Sequence, residues 1–275
     1  MPVLTNNMRI EYLNLFNTCN ILPSKSSVVE NIIKKILANK VRYTAVGNPL
    51  GIPWYFIAVV HNMESSLSFT GHFHNGDSLK ARTKQVPKGR PLQGNPPFTW
   101  EESADDALKY QRLDKGNDWS VAGLLYKLEE YNGWGYRSKH PHVLSPYLWS
   151  FSNHYTKGKY VADGRWSETA VSQQCGAAVL LRRMAEKGEI KLNEASVNVA
   201  ASATESVLKP SLEDIGMPLI KYSKKKIPYA KEMQAYLNQI PGIYLKEDGA
   251  PGEKTSAAFK RVFGFYLAGD PRENG

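Results

Sequence analysis

The sequence predicts an α+β fold in which helices predominate. Several segments of about three turns carry apolar residues at helical spacing, and a capping residue or a proline precedes most of them. One stretch, residues 66–98, instead alternates apolar residues with Gly, Asn and Asp, which is typical of a β-hairpin. A run of small and polar residues at 193–206 predicts a linker between a large domain, 1–192, and a small one, 207–275.

The composition is that of a globular protein with a basic surface. Of the 275 residues, 42% are hydrophobic, which is enough for a sizeable core and excludes a disordered chain. The net charge of +9 favours a polyanionic partner. The pairs His72-x-His74 and His140-x-His142 lack a third ligand at a suitable spacing, so no metal and no cofactor are predicted.

The N-terminus does not resemble a signal peptide, and no stretch of the chain resembles a membrane span. The N-terminus lacks a basic stretch followed by an apolar core and a cleavage site, and no stretch reaches the length of a spanning helix. We therefore expect no signal peptide, no membrane insertion and synthesis in the cytoplasm. If the target is a cell wall, release by a holin-type route or by a delivery machine is required.

The first helices lead to the segment that carries the main candidate acid. A helix is predicted over 27–43, and the turn at 48–51 separates it from the next helix, which opens at Pro53 and is almost wholly apolar. This second helix ends at Glu64, and it places Val60 and His61 on the same face as that carboxylate.

A carboxylate at the end of a buried helix is poorly solvated, so its pKa is expected to rise. An acid that keeps its proton near neutral pH is what glycosidic cleavage requires. Glu64 is therefore a candidate general acid, and the alternative is a surface glutamate that ends a core helix.

The later elements follow from caps and periodicity. Residues 66–98 predict a β-hairpin followed by a long ordered loop, and Thr99 with Glu102 forms a capping box that starts a helix. Further helices are predicted over 120–130 and 168–187, with a glycine-aromatic turn and a loop-like segment, 140–166, between them. In the C-terminal part, helices are predicted over 229–239 and 255–266.

The C-terminal segment resembles the small helical peptidoglycan-binding domain. The resemblance rests on a Gln-x-x-Leu-Asn helix at 234–238 and an Asp-Gly-x-x-Gly-x-x-Thr loop at 248–255, followed by an apolar helix. The glycines permit a tight turn, and the threonine can cap the last helix. The resemblance implies a three-helix domain at 207–275 whose wall-binding residues are Asp248, Gly249, Gly252 and Thr255.

The first 192 residues resemble the lysozyme superfamily. The resemblance rests on the helix that ends in Glu64-Ser65, the hairpin with Gly76-Asp77 and the turn Tyr131-Asn132-Gly133, which is similar to that of lytic transglycosylases. In phage-type lysozymes an Asp in the hairpin precedes a Thr by six positions, as Asp77 precedes Thr83 here. The resemblance implies a lysozyme-like fold with Glu64, Asp77 and Thr83 as catalytic residues.

A wider set of residues is implied for the substrate cleft. Five aromatic side chains can stack on sugar faces, although each one taken alone is more often part of a core: Trp134, Tyr136, Tyr147, Trp149 and Trp166. The acidic residues at 101–106 are other candidates for a second carboxylate, or simply the acidic first turn of a helix. The implied substrate-binding residues are His74, Gln85, Tyr131, Asn132, Trp134 and Tyr147.

These residues predict a monomeric peptidoglycan hydrolase of the lysozyme type. Glu64 is expected to protonate the β-1,4 bond between MurNAc and GlcNAc, and peptidoglycan is the expected partner. Three alternatives remain open: a lytic transglycosylase that forms 1,6-anhydro products, a chitinase, and a wall-binding protein without activity. Nucleic acid is not expected as a partner, because the basic residues are scattered and match no nucleic-acid motif.

Overall fold

The computed structural model describes residues 2–193, 220–240 and 243–273. The chain divides into two compact units, a large one that comprises Pro2 and residues 21–193, and a small one that joins residues 3–20 to the C-terminal part. The predicted linker falls, apart from its first residue, outside the described residues. Residues 3–20 were expected in the first domain, but α1 (Asn6–Asn17) belongs to the small unit, where Phe16 meets the Tyr244 ring edge-on at 5.3 Å.

The large unit is mainly helical. A single 3-10 turn, Pro23–Lys25, precedes its first helix. Its helices are α2 (Ser26–Ala38), α3 (Lys40–Leu50), α4 (Trp54–Ser65), α5 (Trp100–Tyr110), α6 (Val121–Asn132), α7 (Gly135–Lys139), α8 (Pro146–Trp149) and α9 (Ala177–Lys187).

The central helix of this unit is α4. Every residue from Tyr55 to Met63 is buried, and the helix packs against α3 on one side and α9 on another. A helix that is apolar on all faces has to be surrounded by protein, as this one is. It ends where Ser66 takes a left-handed conformation (φ 52°) and its amide bonds to the Asn62 carbonyl. The predicted buried helix ending at Glu64-Ser65 is thereby confirmed.

The predicted capping box is confirmed, while some helix bounds were wrong. Thr99 and Glu102 form the capping box of α5, and Ser120 caps α6 through the amide of Gly123. The helix predicted over 27–43 is two helices, because the Asn39 side chain bonds back to the Lys35 carbonyl and the chain turns there. The helix predicted over 168–187 begins only at Ala177, and α1 was not predicted.

The regular β-hairpin lies in a different place from the predicted one. Residues 66–98 form a single antiparallel bridge, Gly71 to Ser78, whereas the two-stranded sheet pairs β1 (Lys159–Ala162) with β2 (Arg165–Ser167) inside the segment predicted to be a loop. The turn between β1 and β2 is Asp163-Gly164, with Gly164 at φ 65°. A two-residue Asp-Gly connection is a strong hairpin feature, and the Gly- and Pro-rich stretch at 66–98 cannot sustain a ladder.

The small unit has its own core. It contains α1, α10 (Ala230–Leu237) and α11 (Glu253–Phe263), the last two from the described residues 220–240 and 243–273. Apolar side chains from α10, α11 and the loops around them form the core. Over the described residues the protein is predominantly helical with one two-stranded antiparallel sheet, which confirms the α+β, mainly helical class.

Candidate functional site

Glu64 lies in the last turn of α4 and shares a hydrogen bond with a tyrosine from a distant part of the chain. The Tyr147 hydroxyl donates to Glu64 Oε1 over 3.0 Å. Burial raises the pKa of Glu64 to about 7, although the hydrogen bond from Tyr147 favours the ionised form and opposes the rise. Near neutral pH the carboxyl group can therefore hold a proton and release it.

The elements around Glu64 are fixed by backbone contacts. The Gln174 side-chain amide donates to the Asn62 carbonyl at 3.2 Å and to the Met63 carbonyl at 2.7 Å, which secures the end of α4. Gly176 allows α8 and α9 to meet, because a Cβ at this position would lie 2.3 Å from the Leu148 carbonyl oxygen. Both contacts hold the backbone on either side of the Glu64–Tyr147 hydrogen bond.

A second tyrosine completes the surroundings of the acid. Burial and the nearby Glu64 charge raise the pKa of Tyr131 well above its usual value. The pKa of Tyr147 is raised by burial, by Glu64 and by Tyr131. Both phenols therefore stay protonated and can act as hydrogen-bond donors to a neighbouring anion or sugar hydroxyl. The structure thus brings together three of the predicted site residues, Glu64, Tyr131 and Tyr147.

A cleft of about 490 Å³ extends from this group. The volume is within the range of ordinary ligand sites. One wall comes from α7 and from the ends of α4, α6 and α8, and the other from the β1–β2 hairpin. The lining residues are Met63, Asn132, Gly133, Gly135, Tyr136, Lys139, Pro146, Tyr147, Lys159, Tyr160, Ala162, Asp163, Gly164, Ser172 and Gln174.

Asp77 lies on an exposed turn beside the end of α4. A Cβ on its neighbour Gly76 would lie 3.5 Å from the Glu64 carbonyl oxygen, so the turn approaches the helix end closely. The Asp77 carboxylate accepts hydrogen bonds from the backbone amides of Gln85 and Lys84, and these hold its pKa below the usual value. Asp77 is therefore an ionised carboxylate close to the backbone of the acid.

Thr83 and Gln85 are part of the loop that carries these amides. The Thr83 hydroxyl donates a hydrogen bond to the Pro87 carbonyl and accepts one from the Arg90 amide at 2.9 Å. It therefore acts as both donor and acceptor within the loop. Gln85 uses its backbone to bind Asp77, and its side chain lies on the surface. Neither residue lines the cleft, and both shape the loop instead.

His74 belongs to a buried polar network and not to the cleft. Its Nε2 lies 2.9 Å from Asp106 Oδ2, and its Nδ1 lies 3.4 Å from the Ser103 hydroxyl. These residue types are those of a serine hydrolase, but Ser103 has no exposed surface and its hydroxyl also contacts the Phe73 amide and His72. No substrate can reach this hydroxyl, so the network is not a catalytic site. Its hydrogen bonds instead connect the loop to α5.

The other candidates for a second carboxylate have structural partners. Glu101 pairs with Arg42, and Glu102 closes the capping box. Asp105 pairs with Lys109 along the helix, and Asp106 binds His74. The acidic first turn of α5 is therefore explained by helix capping and ion pairing.

The predicted aromatic residues have mixed positions. Trp134 packs on Tyr126 with ring centroids 5.1 Å apart, and its indole nitrogen is buried without a partner among the described residues. Asn132 lines the cleft, as does Tyr136. Trp149 is a core residue. These positions leave Asn132, Tyr136 and Tyr147 as the predicted polar and aromatic side chains that border the cleft.

The motif predicted to bind the wall forms an internal brace of the small unit. The buried Gln234 side chain donates toward Asp248 Oδ1 and Thr255 Oγ1, both at 3.1 Å, and accepts from the Gly249 amide at 2.8 Å. Gly252 is the N-cap of α11, so Thr255 lies within the first turn and does not cap the helix as expected. The four motif residues therefore fix the loop's shape.

Several polar cleft residues were missed at the sequence level. Gln174, Lys139, Lys159 and Asp163 line the cleft but were not singled out. The Asp-Gly turn could have placed the hairpin and hence Lys159 and Asp163. Nothing in the local pattern marks Gln174, since its role depends on a carbonyl more than a hundred residues away.

Among the described residues there is no cluster of His, Cys, Asp and Glu suited to a metal ion, and no helix is both long and apolar enough to cross a bilayer. Comparison of the chain with protein-family models, with curated proteins and with solved structures finds no significant match. The chemistry of the site therefore has to be argued from its own residues.

Proposed function

We propose that this protein is a lysozyme-like peptidoglycan hydrolase that cleaves the β-1,4 bond between MurNAc and GlcNAc, with Glu64 as the general acid. The observation that carries the proposal is the environment of Glu64. It is a carboxyl group with a pKa of about 7, bonded to Tyr147 and located beside an open cleft. Glycosidases of both stereochemical types use such an acid to protonate the leaving oxygen.

The residues around the acid have complementary roles in this mechanism. Glu64 donates its proton to the glycosidic oxygen as positive charge develops on the sugar ring. Tyr147 then stabilises the carboxylate that remains, through the hydrogen bond already present. Tyr131 adds a second buried phenol close to the same charge. Asn132 and Tyr136, which border the cleft, are placed to hold the neighbouring sugar.

Asp77 is the proposed second carboxylate, with the role of activating water or stabilising the cationic transition state. Its low pKa keeps it ionised while Glu64 is protonated, which is the usual division of labour between paired carboxylates. Thr83 supports it by shaping the loop whose amides bind the Asp77 side chain.

A lytic transglycosylase is the second candidate, and one observation favours it. The pKa of Glu64 depends on burial and on Tyr147, with no carboxylate among its causes. A nucleophilic carboxylate at the separation typical of retaining enzymes, about 5 Å, would be expected to raise that pKa. An intramolecular attack by the substrate's own 6-hydroxyl needs only one acid and leaves a 1,6-anhydro ring.

The small unit is proposed as the wall-binding part of the enzyme. Its Gln234-centred brace holds the loop of Asp248, Gly249 and Gly252 in a fixed shape with Gly249 at φ 78°. In this proposal the loop surface contacts peptidoglycan while the large unit carries the chemistry. If the large unit has no activity, the protein is a wall-binding protein.

Digestion of purified peptidoglycan followed by mass spectrometry tests these alternatives. The wild-type protein is expected to release muropeptides with reducing ends, and a transglycosylase would release products lighter by one water. Glu64→Gln should abolish release while the protein still sediments with the wall, and the exposed Glu189→Gln should be fully active. Release by Glu64→Gln at the wild-type rate would refute the assignment, and cleavage of chitin alone would identify a chitinase.

A further inference from the structure

Two lysines from different elements line the same cleft. Lys139 is the last residue of α7, and Lys159 is the first residue of β1, where it pairs with Ser167. The same cleft is lined by Tyr136 and Tyr160, whose rings meet edge to face with centroids 5.4 Å apart. The cleft thus combines aromatic surface, which suits sugar rings, with two cationic groups, which suit carboxylates.

Two glutamates that flank these lysines in sequence have other partners. Glu129 forms a two-point ion pair with Arg137, at 3.1 and 2.9 Å. Glu168 accepts from the Trp166 indole at 2.7 Å and contacts His142 at 3.3 Å. Neither lysine takes part in an ion pair in the described part of the chain, so their charges are available to a ligand.

The cleft also contains one carboxylate, Asp163, at the tip of the hairpin. By formal charge, it reduces the net positive charge of the lining from two to one. The lining remains cationic, and the lysines extend from the two walls, one from α7 and one from the sheet. Both ammonium groups are therefore available to a ligand that carries carboxylates into this cleft.

We propose that Lys139 and Lys159 are specificity-determining residues that select an N-acetylated glycan carrying carboxylates over a neutral one. The inference rests on the proposed function and names what distinguishes the substrate. Chitin and peptidoglycan share the same β-1,4 backbone, but alternate sugars of peptidoglycan bear a lactyl ether whose carboxyl group is free or extended by an acidic peptide. Two ammonium groups lining the cleft would stabilise those carboxylates, whereas the uncharged chitin offers them no opposite charge.

The test compares two glycans that differ only in charge. Peptide-free glycan strands with free lactyl carboxylates are set beside the same strands after methyl esterification. Hydrolysis is followed with the full-length wild-type protein, Lys139→Gln/Lys159→Gln, Lys139→Arg/Lys159→Arg, and a control, Lys34→Gln/Lys35→Gln, which removes two exposed lysines from α2. Binding of both glycans is measured calorimetrically with each variant in a Glu64→Gln background, so that recognition is read without turnover.

We expect the wild-type protein and the control to prefer the charged strands by about tenfold in kcat/KM, since two solvent-accessible ion pairs together are worth about that factor. Lys139→Gln/Lys159→Gln should cleave both strands with the kcat/KM that the wild-type protein shows for the esterified strands. Lys139→Arg/Lys159→Arg should keep much of the preference for the charged strands. The inference is overturned if the wild-type protein cleaves both strands equally well, or if Lys139→Gln/Lys159→Gln prefers the charged strands as strongly as the wild-type protein. If no variant cleaves either glycan, the proposed function fails, and the calorimetric preference still decides the role of the lysines.

Discussion

Replacing Glu64 by Gln should stabilise the protein at alkaline pH. An acid whose folded pKa is raised binds a proton in the native state where the unfolded chain does not, so stability falls as pH rises through that window. For Glu64 the window extends from 4.5 to about 7. At 1.36 kcal/mol for each pH unit, the ionised side chain costs the native state about 3 kcal/mol above pH 7. Gln has a similar shape and no charge, so the cost disappears.

The gain should be visible by tryptophan fluorescence. All six tryptophans lie between residues 54 and 166, within the large unit that contains Glu64. Urea unfolding at pH 8 should give Glu64→Gln an unfolding free energy about 3 kcal/mol above that of the wild type, which corresponds to a rise in Tm of about 6–12 °C for a unit of this size. At pH 4, where both states of the wild type are protonated, the two proteins should be equally stable.

A matched control separates burial from a general effect of charge removal. Glu189→Gln removes one carboxylate from an exposed position just after α9, and it should change stability little at either pH. Equal stability of Glu64→Gln and the wild type at pH 8, or a gain of the same size at pH 4, would show that burial does not raise the Glu64 pKa. The assignment of Glu64 as a neutral-pH acid would then lose its physical basis.

Three further changes probe the same unit. Tyr147→Phe removes the hydrogen bond that favours ionised Glu64, so the alkaline limb of the kcat/KM profile should move up by about one pH unit; an unchanged limb would contradict this. Burial lowers the pKa of His61 to about 4, so the unfolded chain binds a proton between pH 4 and 6.5 that the native protein does not. In the Glu64→Gln background, urea titration should therefore show the unfolding free energy rising by about 3 kcal/mol over this range. A flat profile would refute the lowered pKa. Gly176→Ala would place a Cβ 2.3 Å from a backbone oxygen of α8 and should lower the unfolding free energy by more than about 3 kcal/mol. The control Gly188→Ala meets only open space and should lower it by about 1 kcal/mol. Similar losses of stability in the two variants would contradict the close approach of α8 and α9.

The helical skeleton was largely predictable because its causes are local. The capping box at Thr99, the cap at Ser120 and the apolar run that ends at Glu64 each act within a few residues. The errors occurred where a distant or competing contact decides the outcome. The start of α9 is set by how Gly176 meets the end of α8, and the break at Asn39 is set by a side chain that competes with the helix backbone.

The candidate site was only half accessible from the sequence, for a related reason. The raised pKa of Glu64 could be predicted, because the apolar residues that precede it indicate that this helix end is buried. A motif can indicate residue types, but it cannot say which way they face, and His74 and Thr83 turned out to hold the loop together. The opposite wall of the cleft is the β1–β2 hairpin. Its Asp163-Gly164 turn is the local feature from which the hairpin, and with it the position of Lys159, could have been predicted.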